Sequence, residues 1–167
     1  MSEFREARLS KAKILISKGF DAYSENFKVT HSTKNLIDKF NYLKSGEEFN
    51  LDVSIAGRVL ARRVMGKIAF FSISDQEGSI QLYLEKLIID SDDDKKLCFE
   101  DLKELVDIGD WIGVHGSIKK TNKGELSIKV LKWQMLSKSL QPLPDKWHGL
   151  TDIEKRYRQR YLDLIVN

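Results

Sequence analysis

Ile68-Ala69-Phe70-Phe71-Ser72-Ile73-Ser74-Asp75, the turn Gln76-Glu77-Gly78-Ser79 and Ile80-Gln81-Leu82-Tyr83-Leu84 form a hairpin signature. Successive side chains of a strand point to opposite faces, so a period of two separates an inner from an outer set. In the second arm Ile80, Leu82 and Leu84 make the inward set, and Gln81 and Tyr83 point outward. In the first arm Ala69, Phe71 and Ile73 suit a core, which places Phe70 outside with Ser72 and Ser74. Phe70-Phe71 offers two rings for one inward position, and alternation by itself leaves a core role for Phe70 open. On the first assignment Phe70 and Gln81 face the same ligand.

Upstream, the period of two begins at Leu51. Leu51, Val53, Ile55 and Val59 point one way and Asp52, Ser54, Arg58 and Arg62 the other, with Gly57 marking a bend or bulge. Downstream comes an acidic stretch in which Phe99, Leu102, Leu105 and Val106 recur at helical spacing. Trp111 to Lys119 alternates again, Thr121-Asn122-Lys123-Gly124 makes a turn, and Glu125 to Leu136 forms a last arm. Three strands, a helix and two strands is the order of the OB-fold, a small Greek-key barrel used for oligonucleotides. The fold class expected is mainly β with flanking helices: a five-stranded OB-fold barrel with an N-terminal helical extension and a C-terminal linker helix.

The extension occupies residues 1–50. Ser2 to Lys18 reads as a basic amphipathic helix stopped by Gly19. A second short helix carries Leu36, Ile37, Phe40 and Leu43, with Ser32 or Thr33 as its cap. The barrel takes residues 51–138. Residues 139–167 read as a linker holding both prolines, Pro142 and Pro144, and then a basic helix opened by the capping box Thr151-Asp152-Ile153-Glu154. That helix is still running at Asn167, so a truncated sequence is expected.

Composition narrows the function. The 167 residues are 41% apolar and 32% charged, the balance of a globular protein, and the net charge of +3 is too small to imply blanket phosphate binding. The charge is segregated, with nine acidic residues between Asp90 and Asp110 and with Arg58, Arg62, Arg63 and Lys67 crowded together. The single Cys98 excludes an internal disulfide framework, and His31, His115 and His148 are too scattered to make a metal site with it. No apolar run has the length of a signal peptide or a membrane span. The cytoplasm is the expected compartment, and no membrane partner is expected.

Ala56-Gly57-Arg58-Val59, Arg62-Arg63-Val64-Met65-Gly66-Lys67, Phe70, Asp75, Gly78 and Ile80-Gln81-Leu82-Tyr83 together resemble the N-terminal barrel of bacterial-type lysyl-tRNA synthetases. So do Gly109-Asp110, Lys123-Gly124-Glu125-Leu126-Ser127, the connector Leu140-Gln141-Pro142-Leu143-Pro144-Asp145-Lys146-Trp147-His148-Gly149-Leu150, and the closing Glu154 to Ile165. The ordered set is what is specific, and the resemblance covers nearly the whole chain. It implies an anticodon-binding domain followed by the start of a class II catalytic domain. The Phe-Arg-x-Glu and Gly-x-Gly-x-x-Arg motifs of that domain do not occur here, so this segment is expected to bind tRNA without activating lysine. No cofactor is expected in it; ATP and Mg²⁺ are expected in the catalytic domain of the full-length enzyme, which is expected to be a homodimer.

The resemblance also gives residue roles. Phe70 is expected to stack on the middle uridine of a lysine anticodon, with Gln81 covering or hydrogen-bonding that base. Arg63 is expected at a base edge or the adjacent phosphate, Arg62 and Lys67 on the RNA backbone, and Glu125 as an acceptor for a uracil donor. Such a combination of stacking, edge bonding and phosphate neutralisation is how single-stranded RNA is usually held. The competing structural readings are a solvated strand end for the cations and a hairpin-tip charge for Glu125. Trp111, Trp133 and Trp147 read as packing residues and His115 as a surface strand residue. Two other functions compete: a sequence-indifferent single-strand binder on the same barrel, and a protein-interaction module.

Overall fold

The computed structural model describes residues 2–18, 27–91 and 97–139. The expected connector, Trp147, the capping box at 151–154 and the helix after it lie outside the described residues.

The chain order is α1 (Ser2–Ser17), α2 (Thr33–Phe40), β1 (Glu48–Met65), β2 (Ile68–Ser74), β3 (Ser79–Glu85), α3 (Lys86–Ile89), α4 (Phe99–Leu105), β4 (Trp111–Lys120) and β5 (Leu126–Ser137). The strands close into a barrel in the order β1-β2-β3-β5-β4. β1 makes closure possible because it is 18 residues long. Its first half pairs with β4, from Glu48 opposite Lys119 to Arg58 opposite Trp111, and its second half pairs with β2, from Arg58 opposite Ser74 to Met65 opposite Ile68. A parallel pairing of β3 with β5 completes the ring. The mainly β fold read from the sequence, a five-stranded OB-fold barrel with an N-terminal helical extension, is the one observed; the expected C-terminal linker helix lies outside the described residues.

The interior is filled by the alternating set read from the hairpin. Ala69, Phe71, Ile73, Ile80, Leu82 and Leu84 are all buried, and they meet Ile55, Val59, Val114, Ile118, Ile128 and Val130. Burying a side chain such as Phe71 or Leu82 stabilises the fold by roughly 1.5–3 kcal/mol. α4 adds Phe99 and Leu102 to the same core, anchored where the Trp133 indole Nε1–H donates to the Cys98 carbonyl at 3.0 Å. Trp111 and Trp133 are packing residues. Gly116 is required by closure, since a Cβ there would stand 2.1 Å from the Lys129 carbonyl oxygen of the neighbouring strand.

Three expectations are corrected. β1 begins at Glu48, not Leu51, and a short helix, α3, follows β3 directly. Arg58 was expected outside, but it is fully buried. Arg58 pairs with Ser74 on one side and Trp111 on the other, and Val59 after it still points inward, so its burial is not a change of phase; a bulge follows in β1, between Val59 and Ala61, and displaces Arg62 instead. One extra residue shifts the alternation of everything after it. The bulge lies beyond Gly57, which serves instead for close approach: a Cβ there would meet the Ser74 carbonyl oxygen at 2.9 Å.

Two polar devices fix the additions to the barrel. Asp75 gathers the hairpin turn and α2, accepting from the Glu77 and Gly78 amides at 2.8 and 3.0 Å and from the Thr33 amide and hydroxyl at 2.8 Å each. Ser32 is the N-cap of α2 and forms a reciprocal box with Asn35. At the opposite end, α1 is clamped to the loop before β4 and to the exit of β5. The buried Lys138 ammonium donates to Asp107 at 2.7 Å and to Asp110 at 2.5 Å, while Lys11 reaches Asp107 at 2.8 Å and Arg8 donates to the Ser139 carbonyl at 3.1 Å. Burial opposes ionisation of Asp107, but Lys138, Lys11 and Arg8 outweigh it and hold its carboxyl below the usual range. The completely buried Asp110 is pushed up by desolvation, against Lys138 and the amides of Asp107 and Ser139.

Removing one member of a buried ion pair leaves the other charge uncompensated, a loss of about 3–5 kcal/mol. Lys138→Met is therefore expected to lower the unfolding free energy by about that amount in urea titrations. An unchanged midpoint and slope would show that the clamp does not hold the fold.

Candidate nucleic-acid interface

The outward residues of β1, β2 and β3 form a row across the barrel wall. Register places Arg63 opposite Phe70, and Phe70 opposite Tyr83. The Arg63 guanidinium carbon lies 5.1 Å from the centroid of the Phe70 ring, within cation–π range. Phe70 and Tyr83 meet edge to face, with centroids 5.7 Å apart and planes at 62°. The Lys119 ammonium, from β4, sits 5.2 Å from the Tyr83 ring. Lys119 and Lys129 are both held by Glu48, at 3.3 and 3.0 Å. The hydrogen bond from Lys129, then that from Lys119, keeps the Glu48 carboxyl below its usual pKa despite some desolvation.

This row floors a groove of about 370 Å³, walled by Arg63 and Met65 at the end of β1 and by Lys119 and the Thr121-Glu125 turn between β4 and β5. The turn is a built lip. The Thr121 amide donates to the Glu125 carbonyl at 3.0 Å, the Glu125 amide donates back to the Thr121 hydroxyl at 3.1 Å, and Gly124 takes φ = 87°, a left-handed conformation that favours glycine. Glu125 projects an exposed carboxylate from this lip. Gln81 lies diagonally across from Phe70 on the same face, and its amide Nε2 donates to the Ser127 hydroxyl at 3.0 Å.

Four of the six residues singled out by sequence therefore come together: Phe70, Gln81, Arg63 and Glu125 all line the groove. Phe70 is half-buried and faces outward, which settles the choice that Phe70-Phe71 left open; Phe71 is the core ring.

Arg62 requires a correction. It pairs with Phe71, on the opposite face of the strand from Arg63, and its guanidinium donates to the Val106 carbonyl and, at 2.7 Å, to the Lys103 carbonyl. It caps the C-terminal end of α4, where a cation is favoured by orphan carbonyls and by the helix dipole. Adjacent strand residues cannot share a face, so Arg62 and Arg63 cannot both serve the groove. Lys67 sits at the exposed β1–β2 turn and is not among the groove's lining residues.

Tyr83 and Lys119 were not singled out. Alternation did put Tyr83 outside, and its register with Phe70 was the available signal. Lys119 had none, because it reaches Tyr83 only through barrel closure. His115 is not at the groove: its Nδ1 pairs with the Ser54 hydroxyl at 2.6 Å and its ring lies 4.9 Å from Phe27. Burial, reinforced by Lys132, lowers its pKa and favours the neutral ring.

A barrel of this strand order, with a stacking and basic groove across the β2–β3 face and the turn between β4 and β5, is the arrangement by which OB-folds hold oligonucleotides. The chain belongs to the OB-fold nucleic acid binding domain family, whose model matches residues 53–136. Over its whole length it is 76% identical to the lysine-tRNA ligase of Prochlorococcus marinus subsp. pastoris and 76% identical to that of P. marinus strain MIT 9515, covering 33% of each. It is 58% identical to the lysine-tRNA ligase of strain MIT 9313, covering 34% of it. The chain thus spans about a third of the length of these relatives. Among the described residues no helix is long and apolar enough to cross a membrane, and no group of three or more His, Cys, Asp or Glu could hold a metal ion.

Burial, with Glu85 adding to it, raises the pKa of the Tyr83 phenol above the usual tyrosine value. In an ultraviolet difference titration Tyr83 is expected to ionise above the usual tyrosine range. Tyr83→Phe should remove a late-titrating component; loss of an ordinary one instead would contradict the packing described here.

Proposed function

We propose that the groove reads the anticodon of a lysine tRNA on behalf of a lysyl-tRNA synthetase, serving ATP-dependent lysylation of that tRNA in translation. The observation that carries this reading is the half-buried Phe70 ring on the outer wall, flanked by Arg63 and Tyr83, with the Gln81 amide on the same face. Each component has a part. A base of the anticodon loop lies on Phe70, and Gln81 bonds its edge. Arg63 takes an adjacent base edge or phosphate, Lys119 supplies positive charge on the far side, and Glu125 accepts from a base donor. An acid at the lip repels phosphate, which suits a site that discriminates bases better than one that binds any strand. The relatives named lysine-tRNA ligase supply the amino acid and the tRNA in this reading. The whole protein would then work as a cytoplasmic homodimer, with ATP and Mg²⁺ held outside this segment.

Aromatic stacking of one base is worth roughly 1–3 kcal/mol by alanine substitution. Phe70→Ala should thus weaken binding of an RNA hairpin bearing the lysine anticodon by about tenfold to a hundredfold in filter binding. Gln81→Met should cost less affinity but erase the preference for uridine at the middle position. Equal affinity of the unaltered chain for lysine tRNA and for a tRNA with a substituted middle base, with a steep salt dependence, would replace this reading with a sequence-indifferent single-strand binder.

A further inference from the structure

We infer that Ser127 is a specificity-determining positioning residue, which fixes the Gln81 amide in the orientation that selects uracil over cytosine. The inference rests on the proposed reading of the groove as an anticodon site. Its basis is a directional relay inside the barrel wall. The parallel register of β3 and β5 puts Gln81 beside Ser127, which is fully buried. A serine hydroxyl has one proton. Here it is given to the Glu125 carbonyl at 3.1 Å. The hydroxyl oxygen can then only accept toward Gln81, and it takes the Nε2–H at 3.0 Å.

Turning the amide over would draw the Ser127 proton away from Glu125 and exchange two hydrogen bonds for one. Loss of a bond by a buried group costs more than a typical bond contributes. The relay therefore keeps the nitrogen toward β5 and leaves Gln81 Oε1 as the end offered to the groove. It is an acceptor. Uracil presents a donor, N3–H, at the centre of its pairing edge, and satisfies it. Cytosine has a lone pair at the same ring position, which sets acceptor against acceptor unless the base slides from its seat on Phe70. An amide free to turn would serve either base, as glutamine side chains can.

The test uses the 167-residue chain and two RNA hairpins with lysine-type anticodon loops, one with uridine and one with cytidine at the middle position. The unaltered chain should prefer uridine; if it does not, the anticodon reading itself fails. Given that preference, Ser127→Ala should reduce it by about tenfold or more, chiefly through a gain in cytidine binding, and Ser127→Thr, which keeps a hydroxyl, should restore it. A folded Ser127→Ala variant that keeps the full preference would overturn the inference. Independently of any variant, nuclear magnetic resonance of the Gln81 side-chain amide should show the Nε2 proton bonded to Ser127 both free and with the uridine hairpin bound. Transfer of that proton to the RNA would also overturn it.

Discussion

Three parallel residue pairs, Gln81 with Ser127, Leu82 with Ile128 and Tyr83 with Lys129, join β3 to β5 and close the barrel. Without this seam the sheet would end in two edges, and the turn between β4 and β5 would not stand over the outer face of β3. With it, one register serves both sides of the wall. Leu82 and Ile128 meet in the core, while Gln81 and Tyr83 are held against β5 on the outside. Because the side-chain period is two, slipping this seam by one residue would exchange the faces. The buried face thus specifies the geometry of the groove: apolar packing, which has no direction of its own, fixes where the directional groups stand.

The groove in turn depends on polar groups that are held before any ligand arrives. Glu48 gathers Lys119 and Lys129, and the turn before β5 is braced through Thr121 and Glu125. Exposed ion pairs of this kind contribute little to stability, with a median near 0–1 kcal/mol. Their effect is on order: Lys119 is held over Tyr83 by a carboxylate on a neighbouring strand, so less side-chain freedom would be lost on binding a ligand in the groove. Arg63 and Phe70 are linked in the same way, since the ring restricts the guanidinium on the groove wall. The buried clamp of Asp107, Asp110 and Lys138 is different in kind. It lies away from the groove and joins α1 to the base of the barrel, where the loss of one partner has a large cost.

How much of this was legible in the sequence follows from which signals are local. Alternation along β2 and β3 is local, and it sorted Phe71, Ile73, Leu82 and Leu84 from Gln81 and Tyr83. Capping is local too, and it narrowed the start of α2 to Ser32 or Thr33, of which Ser32 is the cap. The bulge in β1 was not: Gly57 pointed to an irregularity, but the extra residue falls between Val59 and Ala61, and nothing in that stretch marks it. The phase error it causes is why Arg62 was placed outside, whereas Arg58 lies before it and is covered where it stands. Lys119, Lys129 and Ser127 were illegible for another reason. Each acts on a residue of a strand far away in sequence, and the closing register that unites them is a property of the whole ring. The resemblance to lysyl-tRNA synthetases supplied Phe70, Gln81, Arg63 and Glu125 as a set, but it could not separate Arg63 from Arg62, which belong to one motif and to opposite faces.

That separation bears on how a barrel of modest charge can read a sequence. Had Arg58, Arg62, Arg63 and Lys67 all faced one groove, phosphate attraction would dominate and any strand would do. The bulge instead turns Arg62 to the carbonyls of α4, and with Arg58 buried ahead of it Arg63 is the β1 cation lining the groove, which the Glu125 carboxylate also lines. On the proposed reading, the electrostatic gain common to all strands is thereby reduced, and a larger share of the binding energy would depend on what lies over Phe70 and against Gln81. One inserted residue in a strand, costing one ladder pairing, thus breaks up a basic stripe and, if the groove is the proposed anticodon site, leaves the base edge to decide.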